Sequence, residues 1–143
     1  VAVIPSTSVP QGITAMLQLD PHGDFENVVT AMEAALGTVR TGELTHATRS
    51  VCLNGIDVRE GQAIGLMDQQ LVVAADSLRD GLVALLRAIE AGRYELLTMY
   101  AGADLRVEEV EPLAEDIRRL WPNLDLETLS GGQPHYPLVF SLE

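Results

Sequence analysis

The fold of this chain is decided by residues 77–100, which read SLRDGLVALLRAIEAGRYELLTMY. The first part of this stretch repeats leucine and isoleucine every three or four residues, a spacing typical of an amphipathic helix. Ser77 followed by Asp80 resembles a capping box at its start, and Gly92 marks its end. Residues 94–100 then form an apolar run of strand length. A helix followed directly by a buried strand predicts an α/β fold.

The flanking sequence repeats this alternation of helix and strand. Residues 104–121 predict a second amphipathic helix, in which Pro112 requires either a start near Glu111 or a distorted first turn. Residues 24–36 predict a helix capped by Asp24, and residues 10–17 predict a shorter one. The apolar side of the 104–121 helix comprises Val110, Leu113, Ala114, Ile117, Leu120 and Trp121.

The remaining apolar segments predict strands. Asn54-Gly55 is a hairpin turn signal between two of them. Together these elements predict a layered mixed β-sheet with helices packed on it. Strands are predicted at residues 1–4, 40–52, 56–59, 63–67, 71–74, 124–129 and 136–142.

A loop of Asp-Pro-His-Gly at residues 20–23 is the predicted junction between two parts of the chain. Because residues 1–4 already have the character of a buried strand, we expect upstream sequence to precede them. Residues 1–20 are therefore predicted to be the end of a truncated upstream α/β subdomain. Residues 21–143 are predicted to be a complete C-terminal α/β subdomain.

The charge balance narrows the class of partner. The 143 residues carry a net charge of -12, and all nine cations are arginine. Nucleic acids and anionic membrane surfaces are bound chiefly through cationic groups, so we expect neither as a partner. The longest apolar runs fall far short of the roughly 20 residues of a membrane span. These features predict a cytoplasmic protein without membrane insertion.

One segment concentrates the negative charge. Six carboxylates occur within thirteen residues, with only three arginines nearby. Such a group is either a solvated helix face with salt bridges or a surface that binds a cationic protein partner. The candidate partner-binding residues are Asp104, Glu108, Glu109, Glu111, Glu115 and Asp116.

The sequence contains no recognisable catalytic or metal-binding motif. The three histidines, His22, His46 and His135, are too far apart for a zinc pair, and one cysteine cannot complete a thiolate site. Cys52 is either a reactive thiol or a structural one, and its alternating neighbours favour the structural role. We therefore expect no catalytic residue, no metal and no cofactor in this chain.

Two loops carry polar or glycine-rich motifs with two interpretations each. The hydroxyl-rich turn at Ser6, Thr7 and Ser8 is either a phosphate site or a simple connection to the next helix. The closing loop is either an anion-binding loop or a tight connection that needs a positive φ angle. The motif residues are Ser6, Thr7, Pro10, Gln11 and Gly12 in the first loop, and Gly131, Gly132, Gln133, Pro134 and Tyr136 in the second.

Three segments together resemble one family. They are residues 3–13 (VIPSTSVPQGI), residues 39–45 (VRTGELT) and residues 131–136 (GGQPHY). The combination is similar to the C-terminal region of the fatty acid kinase A subunit family, also called the dihydroxyacetone-kinase-like or DAK phosphatase family. The resemblance implies a fold related to that of DegV.

The resemblance also implies a division of labour. In that family a separate N-terminal domain binds ATP and Mg²⁺, and another region makes the parent protein a homodimer. The C-terminal part docks a basic, DegV-like fatty-acid-binding carrier, whose acyl carboxylate is then phosphorylated. The expected function of this chain is therefore non-catalytic docking.

Two alternatives stay open. The first is that the chain is itself a DegV-like lipid-binding domain, with Thr7 and His135 as anchors for a fatty acid carboxylate. The second is a dihydroxyacetone-kinase-like or phosphatase enzyme.

Overall fold

A six-stranded mixed sheet organises the computed structural model, which describes residues 1–143 apart from the side chain of Val107. The strands are ordered β5-β4-β1-β8-β6-β7, and only β6 and β7 are parallel. The predicted mixed sheet is thus confirmed. The elements are α1 Val9–Leu17, α2 Phe25–Leu36, β1 Arg40–His46, β2 Val51–Leu53, β3 Ile56–Val58, β4 Ala63–Met67, β5 Gln70–Ala75, α3 Leu78–Ala88, β6 Leu96–Ala101, α4 Val107–Leu120, β7 Asp125–Ser130 and β8 Leu138–Leu142.

Helices α3 and α4 cover one face of the sheet, which we call the core face. Most of the apolar side chains expected on these helices are buried there against β1, β6 and β8. Leu120 is an exception, because it is exposed to solvent although it was predicted to face the core. The fully buried large side chains of the core include Leu44, Leu82, Leu85, Leu86, Leu97, Met99, Ile117, Leu138, Phe140 and Leu142.

Local signals set several element boundaries. Ser77 and Asp24 cap α3 and α2 by accepting hydrogen bonds from the backbone amides three residues later. Asn54 and Gly55 both have positive φ angles, of 52° and 76°, as a type I′ hairpin turn requires. Helix α3 ends at Ala88, before the predicted Gly92, because the chain enters the left-handed region at Glu90.

Three predictions about secondary structure were wrong. Residues 1–4 form no strand and are largely exposed, since they pair with no other described strand. The strand predicted at residues 40–52 is two strands, because the backbone of Ala47 pairs with Gly61 and Gln62 and the chain then turns away. Helix α4 begins at Val107 and includes Pro112, which lies on the solvent side and leaves one helical hydrogen bond unmade.

The register of the central strands depends on a glycine. Gly42 on β1 lies directly opposite Phe140 on β8, and the ring of Phe140 occupies the space that a side chain at position 42 would need. Phe140 is fully buried, so it has no free volume to move into.

We predict that Gly42→Ala destabilises the fold by about 1–3 kcal/mol, because the added methyl group overpacks the core. Urea denaturation followed by circular dichroism measures the loss. Gly37→Ala is the matched control, since position 37 has a φ angle of -80° and its nearest neighbour to an added Cβ lies at 3.6 Å. Equal stability of the two variants would contradict this account of the register.

Candidate functional site

A cleft of about 340 Å³ opens on the face of the sheet opposite α3 and α4. The beginning of α1 and the loop between β7 and β8 form its walls, and strands β1, β6 and β8 form its floor. The two family-motif loops, more than 120 residues apart in sequence, thus meet at one site. Its lining residues are Thr7, Ser8, Val9, Pro10, Thr41, Glu43, Tyr100, Gly131, Gln133, Tyr136 and Val139.

The first motif holds α1 on the sheet. Ser8 caps α1, and its hydroxyl lies 2.7 Å from the hydroxyl oxygen of Thr41 on β1. The Gln11 carboxamide oxygen accepts hydrogen bonds from both the amide and the hydroxyl of Thr7, at 2.8 and 3.0 Å. The polar groups of this turn therefore satisfy one another, which favours the simple connection over the phosphate site. The added Cβ at Gly12 would meet Ser6 only at ordinary contact distance, 3.8 Å.

The second motif folds back over the end of β6. The Gln133 carboxamide nitrogen donates to the backbone oxygens of Tyr100, at 2.8 Å, and Tyr136, at 3.2 Å. Gly131 makes room for this side chain, because an added Cβ would overlap the Gln133 carboxamide. Gly132 has a φ angle of 64°, and the amides of both glycines donate to the Ala101 carbonyl. This loop is a tight connection, and its amides are not free to bind an anion.

Glu43 is a site residue that sequence reasoning missed. It lies in the middle of β1, between Leu66 and Val139 on the neighbouring strands, and it lines both the cleft and a smaller adjoining cavity. Its carboxylate is half-buried and makes no ion pair or side-chain hydrogen bond with any described residue. Burial raises the pKa of this carboxyl group above the ordinary value for glutamate. The alternation of β1, with Gly42 and Leu44 in the core, is the signal that places Glu43 on the cleft face.

The six acidic candidates lie on and before α4, on the opposite side of the sheet from the cleft. Asp116 pairs with Arg79 and Arg119, and the hydrogen bond from Arg79 lowers the pKa of this aspartate. Three of the six are thus engaged: Asp116 with these two arginines, Glu111 with Arg118 at 3.1 Å, and Glu109 with the Arg106 backbone amide at 3.0 Å. The other three, Asp104, Glu108 and Glu115, are exposed and form no ion pair with a described residue.

The remaining chemical candidates are dispersed. No group of three or more histidine, cysteine, aspartate or glutamate side chains is arranged to hold a metal ion among the described residues. Cys52 is exposed, which corrects its prediction as a packed structural thiol, and a hydrogen bond with Asp57 raises the pKa of the thiol. Thr7 lines the cleft, whereas His135 does not; its carbonyl oxygen accepts a hydrogen bond from Thr45.

Comparison with known families identifies the chain. The FakA-like C-terminal family model, which describes the C-terminal region of A-like subunits of fatty acid kinase, matches residues 1–143, the whole sequence. The chain belongs to this family.

Curated relatives agree with this assignment. The uncharacterized proteins SH1689 of Staphylococcus haemolyticus and SERP0792 of Staphylococcus epidermidis are 33% and 31% identical to it over 141 residues. The match includes 99% of this chain but 26% of each relative. This member of the FakA-like C-terminal family thus spans about a quarter of the length of these relatives.

Solved structures share its fold. The Streptococcus pneumoniae Fatty Acid Kinase (Fak) B3 protein, loaded with linoleic acid, aligns with a TM-score of 0.61 at 18% identity. A DegV family protein from Eubacterium eligens, loaded with heptadecanoic acid, aligns with a TM-score of 0.59 at 13% identity. Each alignment covers 94% of this chain and 54% or 55% of the other. The expected DegV-like fold is therefore confirmed.

Further features of the chain restrict the remaining interpretations. No helix among the residues that the structure describes is long and apolar enough to cross a membrane. The two-part division at residues 20–23 stays a prediction.

We predict that Gln133→Ala loosens the second loop, because two backbone carbonyls lose their donor. The expected loss is about 1–2 kcal/mol in the free energy of unfolding. Hydrogen exchange is expected to accelerate at the Ala103 amide, which donates to the Gln133 carbonyl. Gln18→Ala, at an exposed position, is the control. Unchanged exchange at Ala103 would show that the carboxamide does not hold the loop.

We predict that Glu43→Gln raises the melting temperature at pH 7, by roughly 1–3 °C. A raised pKa means that the folded protein retains the Glu43 proton at pH values where the unfolded chain has released it. The ionised carboxylate therefore lowers stability above the raised pKa, and this cost disappears below the ordinary glutamate pKa. Thermal unfolding at pH 7 and at pH 4 is the measurement, with the exposed Glu33→Gln as control. A difference that grows at pH 4 would contradict this sign.

Proposed function

We propose that this chain docks a basic, DegV-like fatty-acid-binding carrier, as the non-catalytic C-terminal part of a fatty acid kinase. A kinase domain elsewhere in the same protein would bind ATP and Mg²⁺ and phosphorylate the acyl carboxylate that the carrier presents. The observation that carries this proposal is the family match over all 143 residues.

The electrostatics of the chain support docking. A net charge of -12 attracts a basic protein and raises the rate at which the two meet. Within the acidic group, Asp104, Glu108 and Glu115 are exposed and form no ion pair with a described residue, so they are free to pair with cations of a carrier. Charge pairs at the rim of an interface act mainly on the association rate and are screened by salt.

Lipid binding is the second candidate, favoured by the cleft and by the fatty acids in the printed descriptions of the related structures. A fatty acid carboxylate in this cleft would face Glu43, the only charged residue of its lining. Like charges at close range repel, so the cleft is a poor site for a fatty acid anion. Native mass spectrometry of the purified chain tests this candidate, and a co-purified acyl chain would favour it over docking.

An enzymatic role for the chain by itself has less support. No described group of side chains forms a metal site, and the cleft contains no histidine or cysteine. Incubation of the isolated chain with an acyl-phosphate tests this role, since hydrolysis above the uncatalysed rate would establish a phosphatase.

We predict that the chain binds the fatty-acid-loaded DegV-family carrier of its own organism and that salt weakens the complex. The triple variant Asp104→Asn, Glu108→Gln, Glu115→Gln is expected to bind roughly tenfold more weakly at low salt, as about 0.5 kcal/mol per rim charge implies. Sedimentation velocity at low and high salt measures complex formation, and stopped-flow fluorescence measures the association rate.

The control removes three charges elsewhere. Glu26→Gln, Glu33→Gln and Glu60→Gln alter exposed acids that form no ion pair with a described residue, so the net charge changes equally. If both triple variants lose the same affinity, overall charge and not the α4 surface attracts the carrier. If the unaltered chain forms no complex even at low salt, the docking proposal fails.

A further inference from the structure

Resting on the proposed function, we propose that the cleft receives an arginine side chain of the carrier, with its guanidinium on Glu43 and against the rings of Tyr100 and Tyr136. This would make the cleft face of the sheet, and not only the α4 surface, part of the docking interface. The proposal rests on the charge, the aromatic lining and the rigidity of the cleft.

The charge of the cleft selects a cation. Glu43 is the only charged residue in its lining, and no described cation neutralises it. Asp68, which lines the adjoining small cavity, is already paired with Arg40 at 2.5 Å. A half-buried carboxylate without a partner is unfavourable, because it has lost part of its hydration and gained no compensating interaction. A cation from a partner would restore that interaction.

The aromatic residues select arginine among cations. Tyr100 on β6 and Tyr136 in the second loop both line the cleft, together with the apolar Pro10 and Val139. A guanidinium group stacks on aromatic faces and forms two parallel hydrogen bonds with a carboxylate. Lysine is a more strongly hydrated point charge and gains less from such walls. The cleft therefore matches the planar, amphipathic character of an arginine side chain.

The cleft is also preorganised. Gln133 holds the loop that carries Tyr136 to the end of β6, and the contact between Ser8 and Thr41 holds α1 to β1. Gln69 adds a further link, because its carboxamide nitrogen donates to the Thr7 carbonyl at 3.3 Å. A site whose walls are already in place loses less conformational entropy on binding.

The first experiment compares Glu43→Gln with Glu33→Gln in binding to the fatty-acid-loaded carrier, measured by isothermal titration calorimetry. Both variants lose one negative charge, but only the first alters the cleft. We expect Glu43→Gln to weaken the complex at least tenfold and Glu33→Gln to weaken it less than twofold. If the carrier binds Glu43→Gln as tightly as the unaltered chain, the arginine proposal is overturned while the docking proposal stands.

The second experiment does not depend on the carrier. N-acetyl-arginine amide is titrated into the isotope-labelled chain, and chemical shifts are followed by NMR. We expect saturable shifts at Glu43, Tyr100 and Tyr136 that are at least threefold weaker with N-acetyl-lysine amide and absent in Glu43→Gln.

Three outcomes of this titration would overturn the proposal. They are shifts spread evenly over the acidic surface, equal responses to the arginine and lysine probes, and no response at all. The isosteric glutamine keeps the shape of the side chain, and the melting temperature of each variant shows whether it is folded. A loss of binding in a folded Glu43→Gln variant is then attributable to the missing charge.

Discussion

Phe140 fills the space above Gly42 in the middle of the sheet, and this one packing contact determines where much of the molecule lies. It joins β1 to β8 in a single register, since a shift by one residue would place a side chain against the buried ring. Side chains alternate along a strand, so with Gly42 and Leu44 in the core, Thr41 and Glu43 must face the other way. The floor of the cleft is thus a consequence of how the core is packed.

The two faces of the sheet have different roles because their coverings differ. Helices α3 and α4 seal the core face with apolar side chains, and the ion pairs around Asp116 join the two helices on the outside. On the other face α1 contacts β1 at its beginning, through Ser8 and Thr41. Half-buried polar and aromatic side chains consequently remain accessible between α1 and the second loop. The face that contributes least to stability is therefore the one available for binding.

The distribution of negative charge follows the same division. On α4, arginines already neutralise part of the acidic group, which reduces the charge that a partner would meet there. In the cleft, Glu43 has no such partner among the described residues and is partly withdrawn from water. A single unpaired carboxylate in a half-buried position is worth more in a specific contact than an exposed one, because water screens it less. The most acidic segment of the sequence is thus not the place where a single charge has the strongest effect.

The sequence by itself determined the features that depend on neighbouring residues. The caps at Asp24 and Ser77, the turn at Asn54-Gly55, the helical faces and the mixed α/β character all follow from local hydrogen bonding and periodicity. Only the tertiary structure decided the rest, because it depends on partners distant in the chain. Residues 1–4 are apolar but have no strand beside them, and the extended run after residue 40 divides where Ala47 pairs with Gly61 and Gln62. Glu43 becomes a site residue only when residues 7–10 and 131–139 close around it, which no local pattern records.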